Sequence, residues 1–113
     1  MAYTDTGKNL MLDALASAIT EASLHEANPG ESGSDEVSGG SYARQSIAFN
    51  AASGGEITLD GQPVFDVPGG ATINHVGLWA GTDFVAYGSI TEETYGADGT
   101  YTLTAADLDL NAA

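Results

Sequence analysis

Apolar residues recur between positions 7 and 20 in steps of one and three. Leu10, Met11, Ala14, Leu15, Ala18 and Ile19 share one face of a period of about 3.6 residues, which predicts a short amphipathic helix over 7–20. Lys8, Asn9, Asp13 and Ser17 then face outward. Thr4 and Thr6 suit an N-cap, and Asp5 suits the positive end of the helix dipole. An isolated helix of this length is marginal, so Leu10, Met11 and Leu15 need a sheet or a partner over them.

Beyond the helix the period falls to two. Ala22-Ser23-Leu24-His25-Glu26-Ala27 alternates and stops at the turn Asn28-Pro29-Gly30. Residues 28–41 then form an acidic loop rich in Gly and Ser, with Val37 its one apolar anchor, and this composition predicts an exposed, mobile segment. Strands fill about 42–104. Ala43, Gln45, Ile47 and Phe49 alternate with Tyr42, Arg44, Ser46 and Ala48, and Glu56–Leu59, Val64–Val67, Thr72–Ala80, Phe84–Gly88 and Thr100–Thr104 follow between glycine turns. Residues 105–110 suit one helical turn or a final edge strand. The pattern predicts one mainly β domain over 1–113, an antiparallel β-sandwich of six to eight short strands carrying one N-terminal helix.

Charge narrows the partners. Sixteen Asp and Glu stand against Lys8 and Arg44, a net charge of −14. Such a field repels phosphate backbones and anionic membranes, so nucleic-acid binding and membrane binding are not expected. No cysteine is present, so disulfides, thiolate metal sites and a cysteine nucleophile drop out. No apolar run approaches a membrane span, and Asp13 interrupts the only stretch resembling a secretory core. A carboxylate-rich surface without lysines is expected where high salt screens self-repulsion, although an acidic mesophilic surface gives the same composition.

Few residues suit chemistry. Neither His25 nor His75 has a second histidine at metal-ligand spacing, so each reads as a packed polar residue. If their strands were neighbours, the two imidazoles could join Asp66 or Asp83 around a metal. No nucleophile elbow, P-loop or dinucleotide fingerprint appears, so no catalytic residue and no cofactor is expected. Glu31, Asp35 and Glu36 are weak candidates for a cation, because the loop carrying them lacks the ligand order of a calcium hand. Arg44, one guanidinium among sixteen acids, should pair with a carboxylate inside the domain or across an interface. Trp79 and Tyr42 suit either core or interface anchors.

Several segments carry a resemblance. The helix, then Ala22-Ser23-Leu24-His25, Glu36-Val37-Ser38-Gly39-Gly40-Ser41-Tyr42-Ala43-Arg44-Gln45, His75-Val76-Gly77-Leu78-Trp79 and a close at Tyr101–Thr104 and Leu108–Leu110 resemble small virion proteins of tailed phages, labelled tail-fibre or minor tail proteins. The resemblance covers nearly the whole chain and implies a β-sandwich virion protein with no enzymatic activity. It implies homo-oligomeric contacts and contacts with capsid, tail or fibre subunits. It also implies that His75 is a packed strand residue and that Gly77 admits another backbone closely. Head decoration or a vertex turret is the alternative position, and a carbohydrate- or cation-binding adhesion module is the alternative function. If salinity explains the missing cations, the resemblance implies a virus of a halophilic, archaeal host.

Adaptation to brine has a direct readout. The melting temperature should climb steadily from low salt to molar KCl; a flat response supports the mesophilic reading.

Overall fold

A computed structural model describes residues 1–111. The fold is mainly β and antiparallel with one N-terminal helix, as the periodicity predicts. Helix α1 spans Asp5–Ala18, two residues ahead of the predicted start, because Thr4 caps it through a 3.2 Å bond from the Gly7 N–H to its hydroxyl. Among the described residues ten strands follow: β1 Glu21–His25, β2 Gln45–Ser46, β3 Ala48–Phe49, β4 Glu56–Ile57, β5 Leu59–Asp60, β6 Val64–Val67, β7 Thr72–Ala80, β8 Asp83–Thr94, β9 Gly99–Thr102 and β10 Leu108–Asp109.

The ten exceed the expected six to eight because two alternating runs are each divided. Between β2 and β3 the Ile47 N–H bonds the Thr20 carbonyl, and the chain leaves one ladder for another. Glu56–Leu59 divides likewise into β4 and β5, which pair with β10 and β3. The central sheet has the order β2-β1-β7-β8, and β3–β5, β4–β10 and β6–β9 form three two-stranded ladders. The molecule measures 49 × 24 × 24 Å.

Ala22 and Leu24 of β1 stand beside Leu78 and Val76 of β7 and point into the main core with Phe65, Val67, Ile73 and Leu103. Alternation would leave Ser23 and His25 exposed on the other face. Both are fully buried, because the segment from Pro29 to Val37 folds back over them. The expected mobile loop is thus tied down. Pro29 and Val37 are buried, and the Val37 N–H donates to the Leu24 carbonyl at 3.0 Å. The Glu26 N–H donates to the Asp35 carbonyl at 2.9 Å, so residues 35–37 extend the β2 side of β1.

The helix is rotated from its expected setting. Leu12, 2% exposed, and Ile19 point inward, with Leu15 packed against the core, while Leu10 is 69% and Met11 38% exposed. The docked arc runs from Lys8 and Asn9 through Leu12 to Leu15 and Ile19, and it lies against β3, β4 and the turn between them. It takes in part of the face predicted to meet water and only one edge of the predicted apolar stripe. Asn9 Oδ1 accepts the Gly55 N–H at 2.8 Å, Asp13 Oδ1 accepts the Ala52 N–H at 2.8 Å, and Lys8 Nζ donates to Asn111 Oδ1 at 2.9 Å. The first two bonds satisfy loop backbone that an apolar helix face would have left without partners. Apolar residues lie on both arcs of this helix, so the periodicity alone does not choose between them.

Candidate functional site

Of the residues singled out in the sequence, His25, Glu36, Arg44 and Trp79 converge on the second face of the central sheet, whereas Leu10, Met11, Leu15, Glu31 and Asp35 lie elsewhere. Ser23 and His25 lie two apart on β1 and project to the same side. Gly77 is opposite Ser23, and a Cβ there would come within 2.5 Å of Phe84 and 2.8 Å of both His25 Nε2 and Ser23 Oγ. Gly77 therefore admits two rings and a hydroxyl, where close approach of another backbone was expected. On the loop, Gly33 has φ +74°, and a Cβ there would meet the Trp79 ring at 2.7 Å. Both the fold-back and the indole position require glycine at 33.

A chain of hydrogen bonds crosses this layer. The Trp79 indole N–H donates to Ser23 Oγ at 2.8 Å, Ser23 Oγ lies 2.7 Å from His25 Nε2, and His25 Nδ1 lies 2.8 Å from the Ser34 carbonyl. The acceptors and the burial of the ring together assign the protons. A carbonyl only accepts, so Nδ1 carries hydrogen; the Ser23 hydroxyl accepts from Trp79 and donates its own proton to Nε2. This is the neutral Nδ1–H form of His25, the one that burial favours. Burial drives its pKa below the ordinary 6.5, with the Ser34 carbonyl pulling the other way.

The Ser–His distance is that of an activated nucleophile. Both side chains are 0% exposed, so this pair meets neither solvent nor substrate. The pair is fully satisfied and fixes where the loop lies.

Arg44 closes the layer. Its guanidinium forks onto Glu36, with Nη2 donating to Oε1 at 2.9 Å and Nε to Oε2 at 3.1 Å. Its Cζ lies 3.7 Å from the Trp79 ring centroid. Tyr42 donates to Glu36 Oε2 at 2.8 Å and accepts the Leu24 N–H at 3.0 Å, which serves β1 where β2 has ended. Burial favours the protonated Glu36 carboxyl, yet the bonds from Arg44 and Tyr42 outweigh it and hold the group below its ordinary range. The bond to Glu36 in turn raises the Arg44 pKa, and burial pushes the Tyr42 phenol well above its ordinary value. Phe84 completes the cluster, its ring centroid 5.0 Å from Trp79 and 5.9 Å from His25.

Among the weak cation candidates, Glu36 has both oxygens engaged, while Glu31 and Asp35 are exposed. His25 and His75 do face each other across β1 and β7, but both nitrogens of His25 are occupied and His75 Nδ1 is 2.7 Å from the Asn74 side-chain oxygen. Asp66 pairs with Thr100 in the separate β6–β9 ladder, and Asp83 sits at the far end of the β7–β8 pair from His75. No group of three or more His, Asp or Glu side chains suited to a metal ion occurs among the described residues. Sequence reading missed Ser23 as the partner of His25; the signal was their i, i+2 spacing on a strand whose neighbour carries Gly77.

Two outcomes follow from this geometry. Arg44→Ala strips Glu36 of its partner and Trp79 of its cover, and should destabilise the fold by about 1–3 kcal/mol in urea unfolding; a change within about 0.5 kcal/mol removes the ion pair from any stabilising role. Acid acts on the same layer. His25 has a folded pKa below its unfolded 6.5, so its contribution is complete above pH 6.5 and is lost as pH falls through the folded pKa. Glu36, lowered from 4.5, adds a loss of the same sign below that value. Urea midpoints should therefore drop steadily from pH 7 to pH 4, and a midpoint that holds or rises on acidification contradicts the buried neutral imidazole.

With the layer defined, comparison with known proteins places the chain. The family model described as "Podophage GP4 fiber I protein gp80" matches residues 2–111. No curated protein and no solved structure matches. The matched span takes in the capped helix, the folded-back loop, the central sheet and the β10 closure, so the chain belongs to the podophage GP4 fiber I protein gp80 family.

Proposed function

We infer that the protein is a non-enzymatic structural subunit of a tailed-virus particle, built into the tail or tail fibre. Membership of a phage fibre family makes it a virion component, and the match over residues 2–111 is the observation that carries this reading. Homo-oligomeric contacts and contacts with other shell or tube proteins hold it in place. The rotated helix supports such contacts: Leu10 and Met11 stand in water together with Tyr3, although a helix face of this kind needs cover. The buried Ser23–His25 pair supports a structural role, since its polar groups are spent on one another. The lysine-poor surface supports a particle working in brine, in the setting of a halophilic, archaeal host.

The test is made on particles. A double substitution, Leu10→Asp with Met11→Asp, changes only exposed positions and should leave the melting temperature of the isolated protein within about 2 °C of wild type, a near-neutral surface change for a domain of this size. Particles assembled with it should lose the density that a whole-particle reconstruction assigns to the wild-type chain at the tail. Wild-type density on the capsid shell, or full incorporation of the double variant, defeats the tail assignment or the helix contact respectively.

A further inference from the structure

We propose that the open edge of β8 pairs with the same edge of a second copy, antiparallel across a two-fold axis that passes at Tyr87. The proposal deepens the homo-oligomeric part of the reading above, and it rests on a different element from the helix.

β8 is the last strand of the central sheet and runs for 12 residues, about 40 Å at roughly 3.3 Å per residue. Among the described residues, no backbone hydrogen bond outside the β7–β8 pairing involves residues 83–94. An edge of this length is a template for another strand unless charge or a covering element blocks it. Within the strand itself the charges are confined to the ends, Asp83 at one and Glu92 with Glu93 at the other, leaving 84–91 uncharged in a chain of net charge −14. Among the described residues, the one carboxylate lining the hollow beside Phe84–Tyr87 is Glu31 of the loop. Val85 and Tyr87 are 39% and 47% exposed along that run. Beside it lies an apolar groove between Ala86, Ile90, Ala106 and Leu108 that an added strand would help to cover.

The direction of each backbone group follows from the ladder. Leu24 directs its N–H to Tyr42 and its carbonyl to Val37, both away from β7. Its partner Val76 therefore directs its groups toward β8 and Gly88, and the alternation turns those of Tyr87 and Ser89 outward. Tyr87 is the outward-facing residue nearest the middle of the uncharged run. Centred there, a two-fold pairing sets Tyr87 against its own copy and Ala86 against Gly88. Asp83, Glu92 and Glu93 then fall opposite uncharged residues near the ends of the paired stretch. Centring on Gly88 would set Asp83 against Glu93, a like-charge contact. The uncharged run thus recognises itself, and a second copy is the partner that fits it.

Sedimentation of the wild-type chain at molar KCl, where self-repulsion is screened, should give twice the 11.5 kDa protomer mass. Tyr87→Pro removes an outward N–H, which an edge strand tolerates, and should give a monomer with unchanged circular dichroism. The chain has no cysteine, so single replacements report position. Tyr87→Cys should cross-link on oxidation, its Cα atoms being about 5.5 Å apart in a hydrogen-bonded pair. Ser89→Cys should not, since the register separates its copies by about 13 Å along the strands. A wild-type monomer at all concentrations, an oligomer whose mass Tyr87→Pro leaves unchanged, or equal cross-linking at both positions overturns the proposal. The double Asp variant of the helix should retain the dimer, which separates failure of this pairing from failure of the tail assignment.

Discussion

One guanidinium, gripped by a carboxylate on one side and lying over an indole on the other, joins parts of the chain that are far apart in sequence. Arg44 brings the folded-back loop, through Glu36, against Trp79 of the longest inner strand. Beneath that contact lie Ser23 and His25, whose burial is tolerable only because each finds a partner. Without the loop cover, two polar side chains of the central strand would face water and the sheet would have one packed face. With it, the second face is packed over β1 and the adjoining part of β7, while β8 keeps its outer residues exposed.

The acidic composition gives this arrangement its weight. A chain with fourteen excess negative charges holds few opportunities for an attractive ion pair. Its one arginine is placed where the surroundings are partly dry and the geometry is bidentate, conditions that make a pair worth more than a surface contact. Its one lysine does related work between the helix and the last described strand, donating to the Asn111 amide oxygen. Both cations are thus committed to tertiary structure, and the remaining surface keeps its carboxylates.

Much of the fold was legible from alternation and turn residues. Thr72–Ala80 and Val64–Val67 are strands where the period of two puts them, and Thr4 caps the helix as its side chain allows. The helix orientation was not legible, because Leu12 and Ile19 lie on one arc while Leu10, Met11, Ala14 and Ala18 lie on another. The docked arc is the one on which Asn9 and Asp13 accept the Gly55 and Ala52 N–H groups, partners that only the tertiary structure supplies. The loop was misjudged for a similar reason. Its glycines and acids read as solvated chain, yet Gly33 is there to admit an indole and Glu36 to receive an arginine. That Arg44 needs a carboxylate follows from its isolation; that the carboxylate is Glu36 depends on a fold-back which no local pattern announces.

The tie between Lys8 and Asn111 bears on mechanics. The helix and the last described residues both meet the turn at Gly55, with Asn9 and the Leu110 N–H each bonded to that glycine. Tension applied at the two ends would therefore enter through this small patch and peel its few bonds one after another. The long β7–β8 pair would carry almost none of the load. A subunit wired this way yields first at its own seam, like a clasp, while the body behind it keeps its shape.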